Sequence, residues 1–223
     1  MNLDRPTVKL AGATILASLA VILQILPPLF ITPWTMRIDL VAIPWMLCWI
    51  IFGFKPALLS LLISAPLVGF LGPFAGGWVG ATMKSVATIW MFLIPAIFAW
   101  KTGGTKRLLE NKRLFVLAGA LALVVRVVVT VIFNFYFAIP FFFNMSPDAI
   151  ISLFEDVTTL GFIGFGAYIT EVAFWNTIQG IIDLTASLTL GLIIFRRIPA
   201  LTTEQKNEKT VSHRFFFIFS KRL

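Results

Sequence analysis

The chain has 223 residues, 59% of them hydrophobic and only 13% charged, with a mean hydropathy of +0.94. An average globular chain carries about 25% charged residues, so the composition excludes an ordinary soluble domain and points to an all-α integral membrane protein. The net charge of +8 raises the possibility of a nucleic-acid partner, which the placement of the basic residues removes below.

Six candidate transmembrane helices follow one another: Val8–Leu26, Ile38–Phe54, Pro56–Leu71, Val79–Trp100, Arg113–Ile139 and Glu171–Arg197. A hydrocarbon core needs about 20 apolar residues per crossing. The first helix follows Arg5 and Lys9 like a signal peptide, but Pro27, Pro28 and Leu29 come after it in place of a small-residue cleavage site, so it reads as a span. The second and third are short and separated by Gly53 and Pro56, which predicts a tight helical hairpin. The stretch GFLGPFAGGWVG (69–80) before the fourth has no phosphate-binding context and reads as a flexible gate or a tight turn. Between the fifth and sixth helices, Ser146-Pro147-Asp148 is a helix-start signal: a capping serine, proline at the first position, then an acid. Ile150, Ile151, Leu153 and Phe154 follow at helical spacing, so loop 141–170 holds a short amphipathic helix. It either lies over a site or fills space on the outer face. Residues 1–198 thus form one membrane domain and 199–223 a polar, basic tail. Its FFFIF (215–219) is too short to span a bilayer; it touches the cytoplasmic surface or does nothing.

All but three of the 18 basic residues fall at the N-terminus, the second-to-third turn, the fourth-to-fifth loop or the C-terminal side. In a six-span arrangement these share one face, while loop 141–170 has acids and no lysine or arginine. The positive-inside rule puts that face, with both termini, in the cytoplasm. The charge is topogenic, and a nucleic-acid partner is not expected.

The three remaining basic residues are Arg37, Lys84 and Arg126. Ionisable groups at membrane depth are costly and usually face the bundle interior with partners. On the fifth helix Arg126, Thr130 and Asn134 share a face, and on the sixth Asn176, Gln179, Asp183 and Ser187 do. Arg126 and Asp183 each lie thirteen residues from the basic end of antiparallel helices. They sit at one height, which predicts a structural ion pair, with a coupling role in transport as the other reading. Asn134 and Asn176 lie further outward at a second shared height, about 12 Å away at about 1.5 Å per residue. Asp39 and Lys84 fall in the same outer third, with Trp34, Trp45, Trp78, Tyr136 and Trp175. Most of those aromatics read as an interfacial belt. Lys84 alone reads as a snorkelling lysine, but four polar groups at one depth read as a binding site. Amides, Lys84 and Asp39 suit a neutral, polyfunctional ligand, and aromatic rings suit a planar one.

Catalysis is not expected. The single histidine, His213, is in the tail, and the single cysteine, Cys48, lies in an apolar run. No nucleophile, zinc or nucleotide motif is present, and no metal site or cofactor is expected.

In these residues the chain resembles the substrate-binding (S) components of energy-coupling factor (ECF) vitamin importers, particularly the riboflavin type, over residues 8–198. Arg37-Ile38-Asp39-Leu40-Val41-Ala42-Ile43-Pro44 resembles the family's Lys-x-Asp-Phe-Ser-Asp-Ile-Pro, with Ala42 in place of the second acid. Lys84 matches the family's lysine in the fourth helix. Asn134-Phe135-Tyr136-Phe137-Ala138-Ile139-Pro140 is similar to Asn-Tyr-Phe-x-x-x-Pro with the aromatic order shifted. Trp175-Asn176-Thr177-Ile178-Gln179-Gly180 is similar to Phe-Asn-x-Ile-Lys-Gly with glutamine for lysine. The resemblance implies a high-affinity vitamin-binding subunit in a prokaryotic cell membrane, working with a transmembrane coupling (T) protein and two cytoplasmic ATPases. It implies substrate contacts at Asp39, Lys84, Asn134, Tyr136, Asn176 and Gln179, and docking on the T protein through Ala13, Ala17 and Ala20 of the first helix. Ordinary intramolecular packing of those alanines is the other reading. An S component for another vitamin or precursor, and a stand-alone ion-coupled carrier built on Arg126–Asp183, stay open as alternatives.

Overall fold

The protein, described over residues 5–73 and 75–197 of a computed structural model, is helical apart from one small hairpin. In chain order the elements are α1 (Pro6–Ile25), β1 (Phe30–Ile31), β2 (Arg37–Ile38), α2 (Ala42–Phe52), α3 (Phe54–Phe70), α4 (Gly77–Thr102), α5 (Thr105–Glu110), α6 (Lys112–Phe133), a π-helical turn (Asn134–Ala138), α7 (Ile139–Phe143), α8 (Pro147–Val157) and α9 (Gly164–Arg197). The predicted tail 199–223 lies outside the described residues.

Four helices are long and apolar enough to cross a membrane: α1, α4, the continuous stretch Lys112–Phe143, and α9. Their outward faces are apolar. Ile15, Ile22, Val116, Val124, Val128 and Ile181 are each more than half exposed, an arrangement that water disfavours and hydrocarbon accepts. The chain is an all-α membrane protein by this architecture. Helices α2 and α3 are equally apolar but shorter. At 11 residues, α2 rises only about 16 Å.

That shortness has a packing reason. Ala42 through Ile50 are all buried, so α2 is apolar all round because protein surrounds it. It contacts α1, α3, α4 and α9. Trp45 is fully buried there and donates its indole N–H to Ser64 Oγ of α3 at 2.7 Å. Trp34 is also buried, against Phe154. These two are therefore core residues and stand apart from the belt read for most of the five aromatics; Trp78, 52% exposed, remains at the surface.

The turn between α2 and α3 is Gly53 alone, with φ of 91°, a conformation that favours glycine. Around α2 the outer helices follow α3, α4, α6 and α9 in contact order, and α1 packs outside α2 and α3. Ala13, Ala17 and Ala20 face inward on α1 and are essentially inaccessible. Their small side chains let α1 approach α2 and α3 closely, which makes them an internal seam. The docking role implied for them is corrected on this ground, since a partner cannot reach them.

Several boundaries also differ from the sequence reading. Residues 30–38 form a two-stranded hairpin in which Phe30 pairs with Ile38 and Ile31 with Arg37. Loop 69–80 contracts to 71–76, with Gly69 inside α3 and Gly80 inside α4. The predicted amphipathic helix is α8, whose Ser146 side chain caps Ala149 N–H at 3.3 Å. Its Ile150 and Phe154 are buried with Tyr168 and Val172 of α9. Finally, α9 begins at Gly164, seven residues before Glu171. Glu171 therefore lies inside the helix, where its buried carboxylate accepts from Thr158, Thr159, Leu160 and Trp175. That ties down the strand of chain from α8 and fixes Trp175, which stacks on Phe30 of the hairpin at 4.9 Å.

Candidate functional site

A cavity of about 350 Å³ lies between the hairpin and α4, α6, α7 and α9. Its size falls in the range of about 300–1,000 Å³ usual for small-molecule sites. The helix containing Arg126 supplies one wall with residues every four positions: Arg126, Thr130, Asn134, Ala138 and Phe142. A regular α-helix drifts by about 40° for each such step, which would carry the later members away from the cavity. The π-helical turn Asn134–Ala138 winds more slowly and turns the drift back. The stripe therefore faces one cavity for four turns.

Five of the six substrate-contact residues line this cavity: Asp39, Lys84, Asn134, Asn176 and Gln179. Tyr136 does not. It is 73% exposed, because two residues beyond Asn134 along the π-helical turn is roughly half a turn, on the opposite face. That contact is corrected. The expected level pairing of Asn134 with Asn176 is not a bond between them. Each amide donates back along its own helix, to Thr130 O at 2.8 Å and Val172 O at 2.9 Å.

A single hydrogen-bonded chain links the charged groups. Arg126 Nη1 donates to Asp183 Oδ2 at 2.8 Å, with both side chains almost wholly buried. Gln179 Nε2 donates to Asp183 Oδ1 at 2.8 Å and to Asp39 O at 2.8 Å, and Gln179 Oε1 accepts from Asp39 N at 2.9 Å. Asp39 Oδ2 accepts from Lys84 Nζ at 2.5 Å, and Lys84 donates again to Gln24 Oε1 at 2.9 Å. The remaining Asp39 oxygen accepts from Val41 N at 3.0 Å, at the start of α2. The chain thus joins α1, the hairpin, α4, α6 and α9. Beside it, burial lowers the Arg37 guanidinium from its ordinary pKa, and the Asp39 carboxylate opposes that shift.

Sequence reasoning missed Gln24, the second partner of Lys84. It was visible in principle, since Gln24 continues the inward face of Ala13, Ala17 and Ala20. Two further donors belong to cavity-wall residues. Arg126 Nε and the Trp34 indole N–H are buried without a partner among the described residues. The carboxylate oxygens of Asp39 and Asp183, by contrast, are all engaged internally. Among the described residues no group of His, Cys, Asp and Glu could hold a metal ion.

No known family model, curated protein or solved structure matches this chain.

Proposed function

We propose that the protein is the membrane-embedded substrate-binding component of an ECF-type vitamin importer, with riboflavin or a related flavin as its ligand. The observation that carries this reading is the convergence of Asp39, Lys84, Asn134, Asn176 and Gln179 on one cavity of vitamin size. These residues come from four separate parts of the chain and carry the family resemblance. The mix of paired charges, amides and aromatic walls suits a planar, polyfunctional ring with hydrogen-bonding edges.

In this reading all six apolar helices, α1–α4, α6 and α9, belong to the membrane domain, with the short α2 and α3 as a helical hairpin whose first arm is enclosed by the other helices. Both termini and the basic loop 101–113 face the cytoplasm of a prokaryotic cell, and the cavity end faces outward. The protein captures the vitamin, and a T protein with two cytoplasmic ATPases drives release inside. Catalysis has no place in it.

The test is the identity of the small molecule that co-purifies with the protein from flavin-containing cells. Flavin absorbance and a matching mass support the proposal. Folded protein that carries no flavin and takes up none contradicts it. Uptake by vesicles holding this chain alone, abolished by an uncoupler, would instead establish an ion-coupled carrier.

A further inference from the structure

The amides of Asn134, Asn176 and Gln179 all border the cavity, and they are used differently. Asn134 and Asn176 each donate to a carbonyl one turn back, and Asn176 also approaches Met36 Sδ at 3.7 Å. Neither Oδ1 accepts a hydrogen bond among the described residues, so each leaves an acceptor for a ligand. Gln179 has no N–H left. It donates to Asp39 O and to Asp183 Oδ1, each at 2.8 Å, and its Oε1 accepts from Asp39 N at 2.9 Å.

This is how a neighbouring strand behaves. In an antiparallel pair one residue exchanges both its N–H and its C=O with the residue opposite. The ladder of β1 with β2 stops at Ile38, and at the next residue a side-chain amide from α9, 140 residues away in sequence, takes the strand's place. The amide fits in one sense only. Turned over, it would set Nε2 against the Asp39 N–H and Oε1 against two oxygens. Glutamate lacks both donors, and asparagine is one methylene shorter. Gln179 is itself anchored, because Asp183 is held from its other oxygen by Arg126 at 2.8 Å. The peptide fixed in this way carries the carboxylate that meets Lys84 Nζ at 2.5 Å.

We propose that Gln179 is a positioning residue: it makes no contact with the ligand and fixes the Asp39 peptide, so that the Asp39 carboxylate and Lys84 meet the ligand in one arrangement. The inference rests on the vitamin-binding reading and changes the role of Gln179 within it from contact to support. The open amides, Asn134 and Asn176, keep the contact role.

Two measurements on the full chain test it. The first needs no vitamin: amide hydrogen exchange of the apo protein, mapped by mass spectrometry, for wild type, Gln179→Leu and Asn134→Ala. Exchange over residues 36–41 rises about tenfold or more in Gln179→Leu and stays at the wild-type rate in Asn134→Ala. Folded Gln179→Leu protein with wild-type exchange there overturns the inference, whichever vitamin binds. If Gln179→Leu does not fold, Gln179→Asn replaces it, keeping an amide beside Asp183 with a shorter reach toward Asp39. The second is a double-mutant cycle of riboflavin affinity with Asp39→Ala. Gln179→Leu lowers affinity about tenfold in the wild-type background and less than about twofold in Asp39→Ala, because its effect passes through Asp39. A direct contact, or a general loss of folding, acts alike in both. Equal changes in the two backgrounds, or none in either, overturn the inference. Raised exchange in Gln179→Leu beside wild-type protein that binds no riboflavin keeps the positioning role and sinks the flavin reading.

Discussion

Two ion pairs belong to the same hydrogen-bonded chain, and they are built differently. Arg126–Asp183 is sealed, with side chains 4% and 0% exposed, while Lys84–Asp39 is open, at 21% and 13%. Both have short contacts, so geometry alone does not separate them. Burial does. Removing one member of a sealed pair strands a charge in a low-dielectric interior. An open pair beside a cavity has donors and acceptors that a ligand is able to engage. The first therefore holds α6 to α9, and the second is the one that serves binding in the proposed function. Gln179 connects them, bonding Asp183 with its amide group and Asp39 through the backbone.

The sharpest way to break this contrast is at the sealed pair. Asp183→Ala is expected to destabilise the protein by about 3–5 kcal/mol, because Arg126 is left buried and unpaired. Thermal unfolding in detergent or nanodiscs measures this. The double reversal Arg126→Asp with Asp183→Arg recovers part of the lost melting temperature, and its failure to do so removes the pairing. At the open pair, Lys84→Ala loses charged hydrogen bonds of about 1.5–3 kcal/mol, so riboflavin affinity falls by roughly tenfold to a hundredfold. Its melting temperature changes far less than that of Asp183→Ala. Should Lys84→Ala unfold the protein and Asp183→Ala only weaken binding, the two roles are exchanged. Gln24→Leu removes only the second anchor of Lys84 and lowers affinity a few-fold, read by the same titration. Tyr136→Ala, on the outer surface, leaves affinity within about twofold of wild type.

The two pairs also differ in how they could be read from the sequence. Arg126–Asp183 was legible because both lie on long, regular helices, where distance from the basic ends gives depth directly. The polar stripes on α6 and α9 were legible for the same reason. Lys84 and Asp39 could be placed at one depth, but not bonded, because Asp39 sits just after a hairpin with strands of two residues, held by tertiary contacts such as Phe30 on Trp175. Local pattern carries no signal for such short strands. Nor does it distinguish a tryptophan of the membrane interface, such as Trp78, from one in the core, such as Trp45. Small residues present a similar ambiguity. Ala13, Ala17 and Ala20 at helical spacing describe a close contact without naming the other surface, and the other surface is α2 and α3 of the same chain. Tyr136 shows that a motif match does not replace geometry, since its position relative to Asn134 already turned it away.

The most direct test of the account is a fluorescence titration of riboflavin with the purified wild-type protein, run in parallel with Lys84→Ala. The account predicts saturable quenching by the wild type at one riboflavin per chain, with the curve for Lys84→Ala displaced to higher concentration by roughly tenfold or more. Folded wild-type protein that leaves riboflavin fluorescence unchanged contradicts it.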